Sequence, residues 1–207
     1  MDEIWGRIEA WFAEHLPDAP LALRPGASEE AILAAEARLG LRFPDAFRES
    51  LRVHDGQDDA SPVCWLPGAT RLASLASITA CWEHDRAHWD AEDPEGRHEW
   101  LDRSRRVRQV HFHPRQVPIA GGPDWAYDRL ALDLVPGPEG HSGQLIQRDD
   151  IDLVFIATDF ATFLGRFANG LESGTIVIGD REEEQVSMGF RSPRGKKWVR
   201  PSQYFAR

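Results

Sequence analysis

Apolar residues recur at helical spacing from the start of the chain. Ile4, Trp5, Ile8, Trp11, Phe12 and Leu16 share one face of a helix predicted over residues 3–16, and Pro17 and Pro20 end it. After a turn at Pro25-Gly26, Ser28 is placed as an N-cap, with Glu29 and Glu30 in the first turn where the helix dipole favours acids. Ile32, Leu33, Ala35, Glu36 and Leu39 continue that helix, and Gly40 stands where a left-handed residue closes one. Phe43-Pro44 opens a third helix that turns Phe47 and Leu51 inward and stops at Asp55-Gly56. A fourth, over residues 74–89, directs Ile78, Cys81, Trp82 and Trp89 inward. Asp93-Pro94-Glu95-Gly96 breaks it, and a basic helix is predicted over residues 97–106.

From Val107 the period changes. Residues 107–112, 117–120, 130–134, 144–147 and 153–157 are short runs rich in β-branched and aliphatic side chains, separated by Pro, Gly and Asp clusters. A helix capped by Thr158 or Asp159 runs through Phe160, Phe163, Leu164 and Phe167 to Asn169-Gly170, and residues 175–178 form one more strand. Helices, then a meander of strands, then a closing helix is an α+β order. The links between the strands are too short for crossovers, so most pairs should be antiparallel.

Charge adds an asymmetry. The 207 residues carry a formal charge of −10, from 24 bases and 34 acids. The only lysines, Lys196 and Lys197, lie near the C-terminus; residues 181–207 sum to +4 and the remainder to −14. An acidic body argues against a general nucleic-acid or anionic-membrane binder. No 18-residue apolar run is present, so no membrane span is expected. The acidic Met1-Asp2-Glu3 start lacks the pattern of a secretion leader. Cys64 and Cys81 have no zinc-ribbon or CxxC spacing and read as buried free thiols, which fits a reducing cytoplasm.

Several segments in order resemble the SUKH superfamily, in its Smi/Knr branch. They are Arg24-Pro25-Gly26-Ala27-Ser28-Glu29-Glu30 leading to Glu36 and Leu39-Gly40; Phe43-Pro44-Asp45 with Phe47-Arg48 and then His54-Asp55-Gly56-Gln57; Val117-Pro118-Ile119-Ala120 followed by Asp128, Leu130 and Leu132-Asp133-Leu134; Gly140-His141-Ser142-Gly143-Gln144; and Ile156-Ala157-Thr158-Asp159-Phe160. The resemblance covers roughly residues 5–172. It implies an α+β fold with a central mixed, largely antiparallel sheet of about six strands flanked by helices. It also implies a binding protein without catalytic activity or cofactor: an immunity protein that neutralises a secreted bacterial toxin, or a regulatory scaffold of cell-wall synthesis or signalling. Residues 1–180 are then one such domain, and 181–207 a basic extension that either docks on it through Met188, Phe190, Trp198, Val199, Tyr204 and Phe205 or serves as a free arm.

The acidic body suits a protein partner with a basic surface. Candidate contacts are Asp55, Gln57, Asp58 and Asp59 after the third helix, with Trp65, Asp124, Trp125, Tyr127 and Asp128, where aromatics in turn-rich segments stand among acids. Asp133 is a further candidate contact; it interrupts an apolar run, so it either faces solvent or is a paired buried acid. The plain alternative for Glu36 is a hydrogen bond to loop amides near Asp55, and for the glycines and Pro44 it is turn chemistry. A different class of function, a small metal-dependent hydrolase, would build on His84 and His88 four apart on a helix, with a third ligand from His98, His111 or His113. Asp85 follows His84 where the metalloprotease pattern needs glutamate, and Ser142 lacks the nucleophile-elbow setting, so no metal or catalytic residue is assigned.

Overall fold

Helices cap themselves as the sequence suggests in the computed structural model, which describes residues 1–64, 70–87, 105–108, 110, 113–122, 129–149, 152–182 and 185–190. In chain order the elements are α1 (Asp2–His15), α2 (Glu29–Leu39), α3 (Asp45–Val53), β1 (Val63–Cys64), β2 (Arg71–Leu72), α4 (Leu75–Ala87), β3 (Gln116–Gly121), β4 (Arg129–Asp133), β5 (Gln144–Asp149), β6 (Asp152–Ala157), α5 (Phe160–Glu172), β7 (Ile176–Glu182) and β8 (Gln185–Phe190). The Ser28 hydroxyl accepts the Ala31 amide at 3.2 Å to start α2, and Gly40 closes it at φ 67°, a conformation glycine adopts without steric cost.

Strands β2-β3-β4-β5-β6 form an antiparallel five-stranded sheet. A second sheet has the order β1-β8-β7, with β8 antiparallel to β7 and parallel to β1. Pro118 sits inside β3, which has partners on both sides. The register of β3 against β4 shifts between Pro118 and Ala120, and such a bulge is where a sheet accepts a residue with no amide hydrogen. One face of the large sheet, with Val117, Ile119, Leu130, Leu132, Leu145 and Ile156, joins Trp5, Ile8, Phe12, Phe47, Phe160, Phe163 and Phe167 in the main core. On its other face Ile146, Leu153 and Phe155 pack around Val107. Both cysteines are buried and free, and burial pushes the Cys81 thiol up to about 12, so neither is poised to react.

Several elements depart from expectation. Val107, Arg108 and Val110 are not in a strand; Val107 and Val110 are buried from irregular backbone, so their β-branched shape serves packing. Arg105 and Arg106, the described end of the helix expected over 97–106, are not helical. Their carbonyls instead accept the amides of Glu139 and Gly137 in the turn between β4 and β5. β1, β2 and β8 were not expected. β7 runs through residue 180, where the basic extension was expected to begin, and residues 185–190 form the middle strand of the small sheet with Met188 and Phe190 in the main core. Trp89, most of the expected 97–106 helix and the tail anchors Trp198, Val199, Tyr204 and Phe205 lie outside the described residues.

Asp159 caps α5 by accepting the Thr162 amide at 2.7 Å. Burial opposes its charge, but the Thr162 amide and hydroxyl outweigh that and hold its pKa below the usual aspartate value. A depressed folded-state pKa adds stability above the unfolded value, about 3.9, and that stability is lost as the pH falls through the folded value. Asp159→Ala should therefore cost about 1 kcal/mol at neutral pH. In parallel thermal melts its deficit against the native chain should shrink between about pH 6 and about pH 3. A deficit that stays constant across that range would contradict this.

Candidate protein-binding site

Three segments meet beside the C-terminal half of α1. The linker after α1 is stitched to the loop after α3: the Arg24 amide donates to Gly56 O at 2.9 Å, the Asp58 amide to Ala22 O at 2.8 Å, and Leu23 bridges to Gln57. Gln57 locks the junction from inside. Its amide nitrogen lies 2.9 Å from Leu21 O, 3.0 Å from the Ser61 hydroxyl and 3.2 Å from Val63 O, and its oxygen accepts the Leu72 amide at 3.0 Å. Gly56 is required there. Its φ is 70°, and a Cβ would stand 2.4 Å from the Ala73 carbonyl. Asp55 turns back to the helix that follows, accepting the Leu75 amide at 2.7 Å at the start of α4.

Between α1 and this stitched linker lies a groove of about 440 Å³, lined by Glu9, Phe12, Ala13, Leu16, Pro17, Pro20, Leu21, Ala22, Leu23 and His54. Ala22 takes a left-handed φ of 49°, costly for a residue with a Cβ, and the Asp58 amide on its carbonyl helps hold it. Among the described residues that line the groove, His54 is the one imidazole. Its ring meets Trp5 edge-on at 4.9 Å, its Nδ1 lies 3.2 Å from Arg24 O, and its buried Nε2 has no hydrogen-bond partner and stands 3.5 Å from Glu9 Oε1. The segments that supply the lining and the loop stitched beside it, residues 9–24 and 54–60, contain six acids (Glu9, Glu14, Asp18, Asp55, Asp58 and Asp59) and one arginine, Arg24. Of these acids Glu9 lines the groove and Asp58 borders it.

The residues proposed from sequence divide three ways. Asp58 and Asp59 are exposed, and Asp58 borders the groove at Ala22. Asp55 and Gln57 lie beneath as hydrogen-bonded scaffold, and a buried Gln57 presents nothing to a partner. Asp133 is fully buried at the end of β4, accepting Gln144 Nε2 at 2.9 Å and the Val135 amide at 3.1 Å. It is the paired buried acid of the two alternatives and so offers nothing to a partner; burial raises its pKa, and those donors only partly offset the rise. Trp65, Asp124, Trp125, Tyr127 and Asp128 lie outside the described residues, as do His88, His98 and His111. His84 is exposed on α4, and no three His, Cys, Asp or Glu side chains are grouped to hold a metal among the described residues. Glu36 does not reach the loop near Asp55: it accepts the Phe43 amide at 2.7 Å and pairs with Arg48 at 2.6 Å. Glu9, His54 and the apolar floor were not singled out from sequence. The available signal was Leu21 and Leu23 just after Pro17 and Pro20, apolar residues in a linker with no predicted helix or strand to absorb them.

Comparison with known proteins places the chain in a family. The chain is 29% identical over 96% of its length to a cell wall biosynthesis/cell cycle regulator of Schizosaccharomyces pombe. It is 26% identical over 88% of its length to a cell wall assembly regulator of Saccharomyces cerevisiae, and 25% identical over 97% to a glucan synthesis regulatory protein of Neurospora crassa. It spans 41–43% of the length of these curated relatives. They are named as regulators, and no catalytic family is indicated. Among the described residues no helix is long and apolar enough to cross a membrane. One family's model matches residues 26–166, most of the chain, which includes the His54–Gln57 side of the junction but neither α1 nor the linker residues 16–24, and the chain belongs to that family, the SMI1 / KNR4 family (SUKH-1).

Proposed function

We propose that this chain is a non-enzymatic protein-binding module that acts as a regulator of the Smi/Knr type, in the cytoplasm, where its buried free thiols stay reduced. The observation that carries this reading is similarity along nearly the whole chain to proteins named as regulators of cell-wall assembly and glucan synthesis. The binding edge is the acidic rim of the groove, where Asp58 and Asp59 are exposed and rigidly placed by the Gln57 junction. Rim charges of this kind set encounter rate and partner choice more than stability.

A second reading, an immunity protein against a toxin domain with a basic surface, draws on the same acidic rim and the −14 body. One experiment separates the two: capture from the source cells with the native chain and with Asp58→Asn/Asp59→Asn, followed by identification of the bound protein. The regulatory reading expects a component of cell-wall synthesis or its signalling that is lost in the double variant at an unchanged melting temperature. A secreted toxin in its place would establish the second reading. Retention of the same partner by the double variant would remove the rim from the site.

A further inference from the structure

The groove ends in two hydrogen-bond acceptors with no donor between them. His54 Nδ1 lies 3.2 Å from the Arg24 carbonyl, which can only accept, so the neutral ring carries its proton on Nδ1. Nε2 is then left with a lone pair. It is buried and lacks a hydrogen-bond partner among the described residues, and Glu9 Oε1, also an acceptor, stands 3.5 Å away. Two such acceptors suit one shared cationic nitrogen, which reaches both at ordinary hydrogen-bond length, about 2.8–2.9 Å, once the half-exposed Glu9 side chain swings off the buried Nε2. Trp5 against one edge of the ring and Arg24 O on Nδ1 hold the imidazole in place before anything arrives.

Beside this pair the groove is apolar: Phe12 and Leu16 from α1 and Leu21 and Leu23 from the linker, with Pro17 and Pro20 making its walls rigid. Its charge is acidic: Glu9 lines it, Asp58 borders it at Ala22, and the segments that supply its lining and the adjoining loop hold six acids to one arginine. An apolar trough with a two-acceptor end and a negative rim is complementary to a chain segment that carries a lysine or arginine next to leucine-sized side chains.

We infer that this groove is a recognition site for a partner-protein segment in which one basic side chain is held between Glu9 and His54 Nε2 while a neighbouring apolar side chain fills the trough over Phe12, Leu16, Leu21 and Leu23. The inference rests on the protein-binding reading above and names the partner chemistry of that site. The basic group is recognised by charge and shared hydrogen bonds, the apolar group by desolvation, and the spacing of the two sets the register of the segment.

The test uses the full chain and short fluorescent peptides that place one lysine beside two leucines, with a peptide carrying glutamate in place of lysine and one carrying serines in place of the leucines, read by fluorescence anisotropy. The lysine–leucine peptide should bind, and both altered peptides should bind about tenfold or more weakly. Glu9→Gln keeps the shape and removes the charge, and Ala13→Phe fills the trough from an exposed helical position; each should weaken binding by a similar factor while leaving the melting temperature unchanged. Binding that ignores Glu9→Gln and Ala13→Phe, or that prefers the glutamate peptide, would overturn the inference. So would equal binding of a capped single lysine, which would make the occupant a small cation. Tighter peptide binding by Lys196→Gln/Lys197→Gln would make the chain's own basic segment the occupant, and a dimer dissociated by Ala13→Phe would make it a second copy. If the captured partner is lost on Asp58→Asn/Asp59→Asn but kept on Glu9→Gln and Ala13→Phe, the groove inference fails and the binding-module reading stands. If the native chain captures no partner, that reading fails whatever the peptides do.

Discussion

Glu36→Leu should destabilise the protein by about 3 kcal/mol or more, because it breaks a buried charged network from its centre. The Glu36 and Arg48 side chains are each 8% exposed and meet at 2.6 Å. The other Glu36 oxygen accepts the Phe43 amide at 2.7 Å, which fixes the turn between α2 and α3. Arg48 also reaches Glu29, and Glu29 in turn holds Arg52 at 2.7 Å, so the whole face of α3 is tied to the first turn of α2. Leucine leaves Arg48 with one acid instead of two and the Phe43 amide with none, in a setting where each orphaned group costs about 1–3 kcal/mol. Adding Arg48→Met to that variant should recover part of the loss, since two packed apolar side chains stand in for a buried ion pair with little penalty. Denaturant unfolding of the native chain, both single variants and the double variant measures this directly. Additive losses would show that the pair is not coupled.

Gln57→Leu should cost about 3–4 kcal/mol, a loss on the scale of a broken buried polar network. The Leu72 amide and the Leu21 and Val63 carbonyls all lose a partner at once, and none has water to turn to. Gln57→Glu distinguishes hydrogen bonding from size. It keeps an acceptor for Leu72 but sets a carboxylate against two carbonyl oxygens, so it should be at least as damaging at neutral pH and should recover as the medium is acidified and the carboxyl gains a proton. A thermal shift for Gln57→Leu no larger than that of an exposed substitution such as Asp59→Asn would show that the junction is not held through this side chain. Because the junction also forms one wall of the groove, peptide binding should fall with the same variant.

Much of this architecture could be read from local pattern. The faces of α1, α2, α3 and α5, the caps Ser28, Gly40 and Asp159, and strands β3 to β6 all follow from spacing and capping chemistry within a few residues. What escaped depends on partners distant in sequence. Residues 185–190 alternate Val, Met and Phe with polar positions, yet they stand beside Glu182, Glu183, Glu184 and the basic tail, and only β1 and β7 make them a strand. Val107 and Val110 carry strand-forming side chains, but the carbonyls of Arg105 and Arg106 are claimed by the turn between β4 and β5. Asp58 and Asp59 were legible as an acidic loop. The burial of Gln57 and Asp133 was not, because polarity predicts exposure until a specific set of donors and acceptors closes around the group. Glu9 lies on α1 and His54 just past the end of α3, and nothing in their local sequence announces that they meet.

The parallel pairing of β1 with β8 has a consequence for how the chain reaches its fold. Val63 lies beside Val186 and Cys64 beside Ser187, more than a hundred residues further along. The Val63 carbonyl, on the same two-residue strand, faces Gln57. During synthesis at about 5–20 residues per second, the segment beside the groove must wait several seconds for its sheet neighbour. Until then β1 is an unpaired edge, open to the wrong partner. Non-local pairing of this kind makes folding slow and late. Val186→Pro, which removes the amide that donates to Pro62 O at 2.7 Å, should leave α1, α2 and α3 able to collapse but send more of the newly made chain into aggregates.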